Sequence, residues 1–420
     1  MSWKTPAALA LVAALLSAYP PPRLPACDPD NAGLTLPAGF CAVVVADQVG
    51  APRHLAVAPN GDLFVALETR RGGPPGVLAL RDTTGDGKAD VVVHFATAGG
   101  TGIALGKGVL YFATRSTVLR YAMRGGQLTP LGEPQVVARD LPSDGNHTAK
   151  SLALSPDGRT LFVNFGSASN SCQVADRMLE SPGRDPCPEL AYRSGIWRFD
   201  ADKTNQTGAS GRYATGIRNA VGLAFAPDGQ LWATQHGRDQ LGQNWPKLFT
   251  LEQSAERPSE ELLRVNEGDD FGWPYCYHDG ALGHLVLAPE YGGDGKQAGV
   301  CARKEEPAVA FPAHWAPDGL AFYAGTQFPA RYAGGAFIAF HGSWNRAPLP
   351  QAGFRVVFAP FKDGAPAGGG AYETFADGFW HEDGAGPQHR PVGLAVGPDG
   401  SLYITDDAAG RIWRVMYKGR

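Results

Sequence analysis

Histidine, arginine and asparagine side chains recur at corresponding places in this 420-residue chain, next to the ends of short apolar stretches. Those that could do chemistry are Arg53, His147, Arg218, Asn219, His341, Asn345, Arg346 and Arg390. The planar fork of arginine suits carboxylates or phosphates, and histidine exchanges a proton near neutral pH. If the fold brings these groups together, they could bind an anionic ligand and accept a proton.

The apolar stretches belong to an internal repeat. Each copy has an apolar strand, a tight turn of the Pro-Asp-Gly type and a second apolar strand, which is a strong hairpin signal. A further strand-like segment follows each hairpin, as in Ile196-Trp-Arg-Phe. The six copies, two of them degenerate, begin at Leu55, Ile103, Leu152, Leu223, Leu320 and Leu394.

The spacing of the repeat predicts the architecture. Successive copies are separated by 48, 49, 71, 97 and 74 residues, and a propeller blade takes about 40–50 residues. We therefore predict an all-β fold, a six-bladed β-propeller over residues 35–420, with insertions in the longer gaps. Five or seven blades is the alternative, because the 97-residue gap could hide another blade.

The same topology predicts where a site would lie. A hairpin returns the chain to the side it left, so the residues flanking the two inner strands of every blade share one face of the channel. Several arginines there imply an anionic ligand. The alternative is that the arginines only pair with local acids between blades.

Composition and the N-terminal sequence indicate which partners and which cellular location to expect. With 37 Lys and Arg against 41 Asp and Glu, the net charge of −4 argues against a nucleic-acid partner. Residues 1–19 are typical of a signal peptide, with a buried N-terminal helix as the alternative, and residues 20–34 form an N-terminal extension. We expect a periplasmic or secreted protein with no integral membrane segment after signal removal.

The six cysteines fit that setting, because an even count outside the cytosol suggests disulfides. Six cysteines allow 15 pairings. Sequence proximity favours Cys27–Cys41, Cys172–Cys187 and Cys276–Cys301.

Two acidic segments are further candidates for metal binding. Asp82, Asp86 and Asp90 surround a glycine turn and could hold a structural calcium ion, with a plain inter-strand turn as the alternative. Glu260 and Glu261 could bind another ion or lie on a solvated strand edge.

The order of the motifs resembles the soluble quinoprotein sugar dehydrogenases, particularly their sorbosone and pyranose dehydrogenase branch. The resemblance spans roughly residues 35–418. It is carried by Asp140-Leu-Pro-Ser-Asp-Gly-Asn-His147, Gly216-Ile-Arg-Asn219, Gln235-His-Gly-Arg-Asp, Phe340-His-Gly-Ser-Trp-Asn345 and His389-Arg-Pro-Val.

This resemblance implies a six-bladed propeller that holds pyrroloquinoline quinone (PQQ) and calcium at the channel mouth. His147 would be the general base that takes the sugar hydroxyl proton while a hydride passes to the quinone. The electrons would go to an external acceptor. The implied cofactor contacts are Arg53, Arg218, Asn219 and Arg390, with Gly237 and Arg238 offering backbone carbonyls to calcium.

The fifth-blade stretch departs from the soluble glucose enzymes of the family. Those enzymes place a lysine there, whereas this chain has His341, Asn345 and Arg346, which the resemblance implies as further cofactor contacts. Arg346 or His341 would have to take the place of the lysine. Two alternatives to a sugar dehydrogenase remain at this stage. One is a non-catalytic extracellular propeller that binds carbohydrate or a protein partner, and the other is a calcium-dependent hydrolase of the lactonase type.

Overall fold

The computed structural model describes residues 24–69, 73–380 and 387–419. Within them, six four-stranded antiparallel sheets follow one another around a central channel as the blades of a propeller. The six repeat copies each begin in the innermost strand of a blade, so the predicted six-bladed propeller is confirmed.

The strands of blades 1 to 3 run outward from the channel in chain order. Blade 1 contains Pro52–Val57, Leu63–Leu67, Gly76–Arg81 and Val91–Phe95. Blade 2 contains Gly100–Gly106, Val109–Thr114, Val118–Ala122 and Gln135–Ala138. Blade 3 contains Leu152–Leu154, Thr160–Phe165, Gly195–Asp200 and Arg212–Thr215.

Blades 4 and 5 repeat this order, and blade 6 takes its outermost strand from the start of the chain. Blade 4 contains Leu223–Phe225, Leu231–Gln235, Glu260–Val265 and Val309–Phe311. Blade 5 contains Pro317–Phe322, Ala336–Phe340, Arg355–Ala359 and Glu373–Ala376. Blade 6 contains Pro391–Val396, Leu402–Asp406, Arg411–Tyr417 and Phe40–Ala46.

The second strand of a blade carries much of the core. Leu63–Leu67, Ala336–Phe340 and Leu402–Asp406 are buried at every residue. A strand covered by neighbouring blades on both faces reads as a continuous apolar run rather than as an alternating one. Burial of these runs between blades therefore fixes the blades around the channel.

Ring closure depends on the N-terminal strand. Phe40–Ala46 pairs antiparallel with Arg411–Tyr417, the third strand of blade 6. The Phe40 ring packs edge-on against Phe328, Tyr332 and Phe375 of blade 5, with centroids 4.8, 5.4 and 5.1 Å away. The two ends of the propeller are thereby joined in one sheet and one aromatic cluster.

Short elements lie in the insertions and connections. Two small hairpins pair Cys276–Asp279 with His284–Leu287 and Phe361–Lys362 with Ala365–Pro366. The α-helices are Leu241–Asn244 and Leu251–Ala255. The 3-10 helices are Pro29–Gly33, Pro188–Ala191, Gly208–Ser210, Pro289–Tyr291, Gly299–Arg303 and Ala330–Tyr332.

All three predicted disulfides are present, and they join Cys27 to Cys41, Cys172 to Cys187 and Cys276 to Cys301. The predicted signal peptide, residues 1–19, lies outside the described residues. Of the predicted extension, residues 24–34 are described, and the Trp413 indole donates to the Ala32 carbonyl at 3.2 Å. None of the helices in the described ranges has the length and apolar character needed to cross a bilayer.

Candidate functional site

The strand flanks converge on one face of the channel, as the hairpin topology predicts. Five side chains from four blades form a group that we call the Asp318 cluster: Arg53, His236, Asp318, His341 and Asp407. Arg53 bridges two of its carboxylates, with Nη2 3.0 Å from Asp318 and Nη1 2.7 Å from Asp407. His236 Nε2 lies 3.0 Å from Asp318, and His341 Nε2 lies 2.8 Å from Asp407.

Attraction within the cluster keeps its two carboxylates charged. Burial opposes ionisation of Asp318 and Asp407, but Arg53 and the neighbouring histidines hold the pKa of each carboxyl well below its usual value. Burial likewise opposes a charge on His236, yet its contact with Asp318 raises its pKa. The cluster is therefore a balanced ionic network across the channel.

A second group, which we call the Asp239 cluster, contains Asn170, Arg177, Arg218, Asp239 and Asn345. Asp239 Oδ2 accepts from both Arg218 and Arg177 at 2.9 Å, and its Oδ1 accepts from Asn345 Nδ2 at 2.8 Å. Burial opposes ionisation of Asp239, but the two guanidinium groups lower its pKa far below the usual range. This carboxylate joins the insertion of blade 3 to the segments after the second strands of blades 4 and 5.

The guanidinium of Arg218 is committed to its own chain. Its N–H groups donate to the carbonyls of Asn170, His236 and Gly237 at 3.1, 3.5 and 2.7 Å, and to the Asn170 amide oxygen and Asp239. A ligand would have to share Arg218 with these acceptors. Arg218 therefore acts on the site mainly through its charge.

His147 lies beside this charge, half-buried at the start of blade 3. Its Nδ1 is 3.0 Å from the Ser167 carbonyl and 2.8 Å from Ser167 Oγ, which itself donates to the Ser169 carbonyl. Both neighbours of Nδ1 thus accept, so Nδ1 carries the proton and Nε2 holds the lone pair. Burial and the Arg218 charge lower the pKa of His147 well below its usual value, which keeps the ring neutral.

An unsatisfied acceptor lies next to His147. The Asn219 side-chain oxygen is buried and has no hydrogen-bond partner among the described residues. A Cβ on Gly166 would fall 2.6 Å from the His147 Cβ and 2.9 Å from that oxygen, so only glycine lets the chain pass here. An orphaned buried acceptor is what a missing ligand leaves behind, so His147 and Asn219 fit a bound group.

The other side chains that were predicted to contact the cofactor make different hydrogen bonds within the protein. Arg390 donates to His341 Nδ1 and to the carbonyls of Gly342 and Ser343 at distances of 3.2–3.5 Å. Arg346, by contrast, donates to the carbonyls of Ala255, Ala313 and Pro350 and so ties surface loops together. Of the fifth-blade residues, His341 and Asn345 belong to the two clusters, and Arg346 serves the loops.

The predicted calcium ligands are not assembled by the chain alone. The Gly237 carbonyl already accepts from Arg218, and the Arg238 guanidinium is paired with Glu290. Within the described ranges, no set of three or more His, Cys, Asp or Glu side chains is arranged to hold a metal ion. Two backbone carbonyls fall short of the six to eight oxygen ligands that calcium prefers.

The Asp82, Asp86 and Asp90 segment, predicted to hold a structural calcium ion, forms a turn stabilised by its own carboxylates. Asp82 accepts from the backbone N–H groups of Gly85 and Gly87, and Asp90 accepts from Thr83. These carboxylates stabilise their own loop instead of converging on a common centre. This arrangement favours the alternative of a plain inter-strand turn, and the structural calcium ion stays a prediction.

Several carboxylates of the site were missed by sequence reasoning. Asp239 lies within a motif that was noted for its cations, and Asp318 lies just before the degenerate repeat copy at Leu320. Neither acid was distinguished from a solvated one. Glu260 and Glu261, expected at an ion or on a solvated strand edge, are buried. Burial raises the pKa of Glu261 to about 8, and its partner Gln235 donates to it at 2.6 Å.

The fold and this face define a class: a six-bladed propeller with clusters of charged side chains and a neutral histidine at one end of its channel. Residues 34–418 match the TrAA12-like family, so the chain belongs to that family. This confirms the resemblance to quinoprotein sugar dehydrogenases.

A curated relative is the "Pyrroloquinoline quinone-dependent pyranose dehydrogenase" of Coprinopsis cinerea, 25% identical over 64% of this chain and 39% of that one. The chain spans less than half the length of the curated relatives it matches. A Trichoderma reesei structure of Carbohydrate-Active Enzymes Family AA12 is similar in fold, with 21% identity and a TM-score of 0.75. The match covers 92% of this chain and 98% of that one. The holo form of the pyranose dehydrogenase PQQ domain from Coprinopsis cinerea is also similar in fold. It is 18% identical, with a TM-score of 0.75, and the match covers 91% of this chain and 97% of that one.

Proposed function

We propose that this protein is a PQQ-dependent dehydrogenase that oxidises an aldose or a related sugar and passes the electrons to an external acceptor. The observation that carries the proposal is the state of His147. Its Nδ1 proton is held by Ser167, its ring is neutral, and its Nε2 is left as a base beside the orphaned acceptor of Asn219. Membership of the TrAA12-like family and the pyranose dehydrogenase relative support the cofactor and the substrate class.

The chain's own residues would share the work of binding. Arg390 would receive a carboxylate of the cofactor, because it lies on the site face and a guanidinium forms strong charge-assisted bonds to carboxylates. Asn219 would accept from the cofactor, and Arg53 and Arg218 would lend charge while remaining bound to their carboxylates. PQQ, when bound, supplies a two-electron acceptor for the hydride of the sugar carbon.

His147 Nε2 would take the proton of the sugar hydroxyl. The proton on Nδ1 stays on the Ser167 side, so the ring keeps its orientation while it changes charge. The imidazolium that forms would be stabilised by Asp239, which opposes the lowering of the His147 pKa by Arg218. A base prepared in this way is oriented by Ser167 and does not require a carboxylate at the preceding position, which is Asn146.

The rim of the site offers an apolar surface for a sugar ring. The Trp344 side chain is 64% exposed and adjoins Asn345, which is bonded to Asp239. Trp273 is buried, and Trp315 packs against Phe340. Trp344 is therefore the tryptophan available to stack on a substrate.

Calcium enters the proposal only together with the cofactor. Gly237 and Arg238 would contribute two backbone carbonyls, and the remaining oxygens would have to come from the ligand and water. Calorimetry should then detect calcium binding in the presence of PQQ and not in its absence. Tight binding of calcium to the protein alone would contradict this arrangement.

We further propose that the protein acts in the periplasm or outside the cell. The support is the set of three disulfides, two in the insertions and one joining the N-terminal extension to the propeller, because disulfides persist in oxidising compartments. Fractionation of the producing cells would test this. Recovery in the reduced cytosolic fraction with free thiols would contradict it.

Reconstitution tests the central activity. Purified protein loaded with PQQ and calcium should reduce an artificial dye when aldoses and related sugars are added, and protein without PQQ should not. A lack of dye reduction across a broad sugar panel, together with a lack of PQQ binding, would refute the proposal. PQQ binding without dye reduction would refute the sugar substrate and retain the cofactor.

A further inference from the structure

Two cationic side chains are buried in blade 3, outside both site clusters. Lys150 precedes the innermost strand and is 1% exposed, and Arg193 precedes the third strand and is fully buried. Both side chains are tied to one short segment, because Arg193 donates to the Asp144 carbonyl and Lys150 to the Thr148 carbonyl. Burial and then the Arg193 charge lower the pKa of Lys150 to about 7. Buried charges of like sign are costly unless an opposite charge compensates them.

The protein supplies little of that compensation. Arg193 Nη2 donates to the Asp144 carbonyl at 3.0 Å and lies 3.3 Å from its carboxylate, but the Asp144 side chain is 76% exposed. Water and salt screen such a carboxylate. The Lys150 ammonium donates to the Thr148 carbonyl at 3.0 Å and lies 5.8 Å from the Phe165 ring centroid.

Arg193 also keeps donors that nothing satisfies. Its Nε and Nη1 are buried and have no hydrogen-bond partner among the described residues. A guanidinium stays charged at any physiological pH and cannot escape by losing its proton. Orphaned, permanently charged donors beside a second buried cation call for an anion.

We propose that Lys150 and Arg193 form a binding site for a small monovalent inorganic anion, of which chloride is the probe. The anion accepts from the unpartnered N–H groups of Arg193 and from the Lys150 ammonium. A monovalent ion suits the pair because Asp144 already offsets part of the positive charge. This site is separate from the proposed cofactor site and does not depend on the proposed reaction.

The anion would lie beneath the segment that carries His147. The carbonyls of Asp144 and Thr148, at either end of that segment, bind Arg193 and Lys150. An anion bound to both side chains would reinforce this attachment. Chloride should therefore slow hydrogen exchange of residues 144–148.

The test compares sodium chloride with sodium methanesulfonate at equal ionic strength. The full-length protein as purified should show a saturable rise in its thermal midpoint with chloride, and slower exchange over residues 144–148. Lys150→Met keeps the side-chain volume and removes one charged donor. It should therefore raise the half-saturating chloride concentration about tenfold or abolish the effect. Lys203→Met, at a lysine whose side chain is 72% exposed, should respond as the wild type does.

Two results would overturn the proposal. The first is a wild-type thermal midpoint that does not saturate with chloride, or that rises equally with chloride and with methanesulfonate. The second is a Lys150→Met protein with the wild-type chloride response. If Lys150→Met does not fold, bromide soaked into wild-type crystals decides, because an anomalous peak between Lys150 and Arg193 supports the site and its absence there refutes it.

Discussion

His147 owes its chemistry to side chains and carbonyls that do not react. The Ser167 carbonyl and hydroxyl fix the proton on Nδ1, and Arg218 with burial keeps the ring neutral. Arg218 is in turn held in place by Asp239 and Asn170. A reactive residue in this molecule is therefore defined by two layers of polar contacts.

His147→Ala should abolish turnover while leaving PQQ affinity nearly intact. The substitution removes the proton acceptor, and loss of a general base costs about 10²–10⁴-fold in rate. Steady-state dye reduction gives the rate, and calorimetry gives the affinity. His94→Ala, at an exposed histidine in the outer strand of blade 1, serves as the control. Unchanged turnover in His147→Ala would remove this residue from the reaction.

Glu261 should make the protein less stable as the pH rises from about 5 to about 8. Its pKa is about 8 in the fold and near 4.5 when unfolded, so the folded state holds a proton that the unfolded state has lost. The stabilisation is complete below the unfolded pKa and is lost as the pH passes the folded one. This carboxyl contributes a slope of about 1.4 kcal/mol per pH unit.

Glu261→Gln should flatten that slope, because the amide retains the bond to Gln235 and cannot ionise. Urea unfolding at several pH values measures the free energy of unfolding of both proteins. Glu133→Gln, at an exposed position, should keep the wild-type slope. Equal slopes in wild type and Glu261→Gln would show that Glu261 is not buried as an acid.

At this scale the sequence identified cations and missed their partners. His147, Arg53, Arg218 and Arg390 were recognisable because their types and positions in the repeat pointed to chemistry. Asp239 and Asp318 were not, because nothing local distinguishes a carboxylate that joins two blades from one in water. The two readings of the arginines also prove compatible, since Arg53 both faces the channel and pairs with acids of other blades.

Among the elements, the insertions are held together by one buried carboxylate. Glu290, in the insertion of blade 4 that precedes its outer strand, is paired with Arg238 and accepts from the Trp245 indole at 2.9 Å. Ser171 of the blade 3 insertion donates to it at 3.2 Å. Three segments that cover the site face therefore meet at a single side chain.

Glu290→Gln should destabilise the protein by about 3–5 kcal/mol, because Arg238 is then buried without its counter-charge. The midpoint of urea unfolding measures the loss. Glu180→Gln is the matched control, since Glu180 pairs with Lys247 on the surface at 2.8 Å and should cost about 1 kcal/mol or less. Similar losses in the two variants would contradict the role given to Glu290.

The strands could be predicted and the insertions could not. Each hairpin is specified locally by its apolar alternation and its turn. The paths of residues 166–194 and 236–259 depend on contacts between distant segments, such as Arg177 with Asp239 and Glu180 with Lys247. Such contacts between distant residues produce no repeating pattern in the sequence, so the sequence could not predict them.

At the scale of the whole molecule, the propeller is closed by its N-terminal strand. Phe40 anchors that strand in the aromatic cluster of blades 5 and 6. The six-fold repeat predicted the ring, but the joining of residues 40–46 to the last blade had no counterpart in the repeat. The C-terminal part of the chain supplies only three strands of blade 6, so the N-terminal strand must complete this sheet, and its pairing closes the ring.

Phe40→Ala should lower the free energy of unfolding by about 3–5 kcal/mol, the usual cost of removing a buried phenylalanine. Unfolding followed by tryptophan fluorescence measures the loss. Leu131→Ala, at a leucine 55% exposed, should change stability little. A Phe40→Ala protein as stable as the Leu131→Ala protein would show that the strand does not hold the ring closed.

The most direct test of the account is a calorimetric titration of PQQ, with calcium present, into wild type, Arg390→Met and Arg159→Met. Arg390 is on the site face, whereas Arg159 is exposed at the hairpin turn of blade 3 on the opposite face. We predict one equivalent bound by wild type and by Arg159→Met, and about tenfold weaker binding or more by Arg390→Met. No binding to wild type, or equal binding by the two variants, would contradict the claim that this face receives an acidic redox ligand.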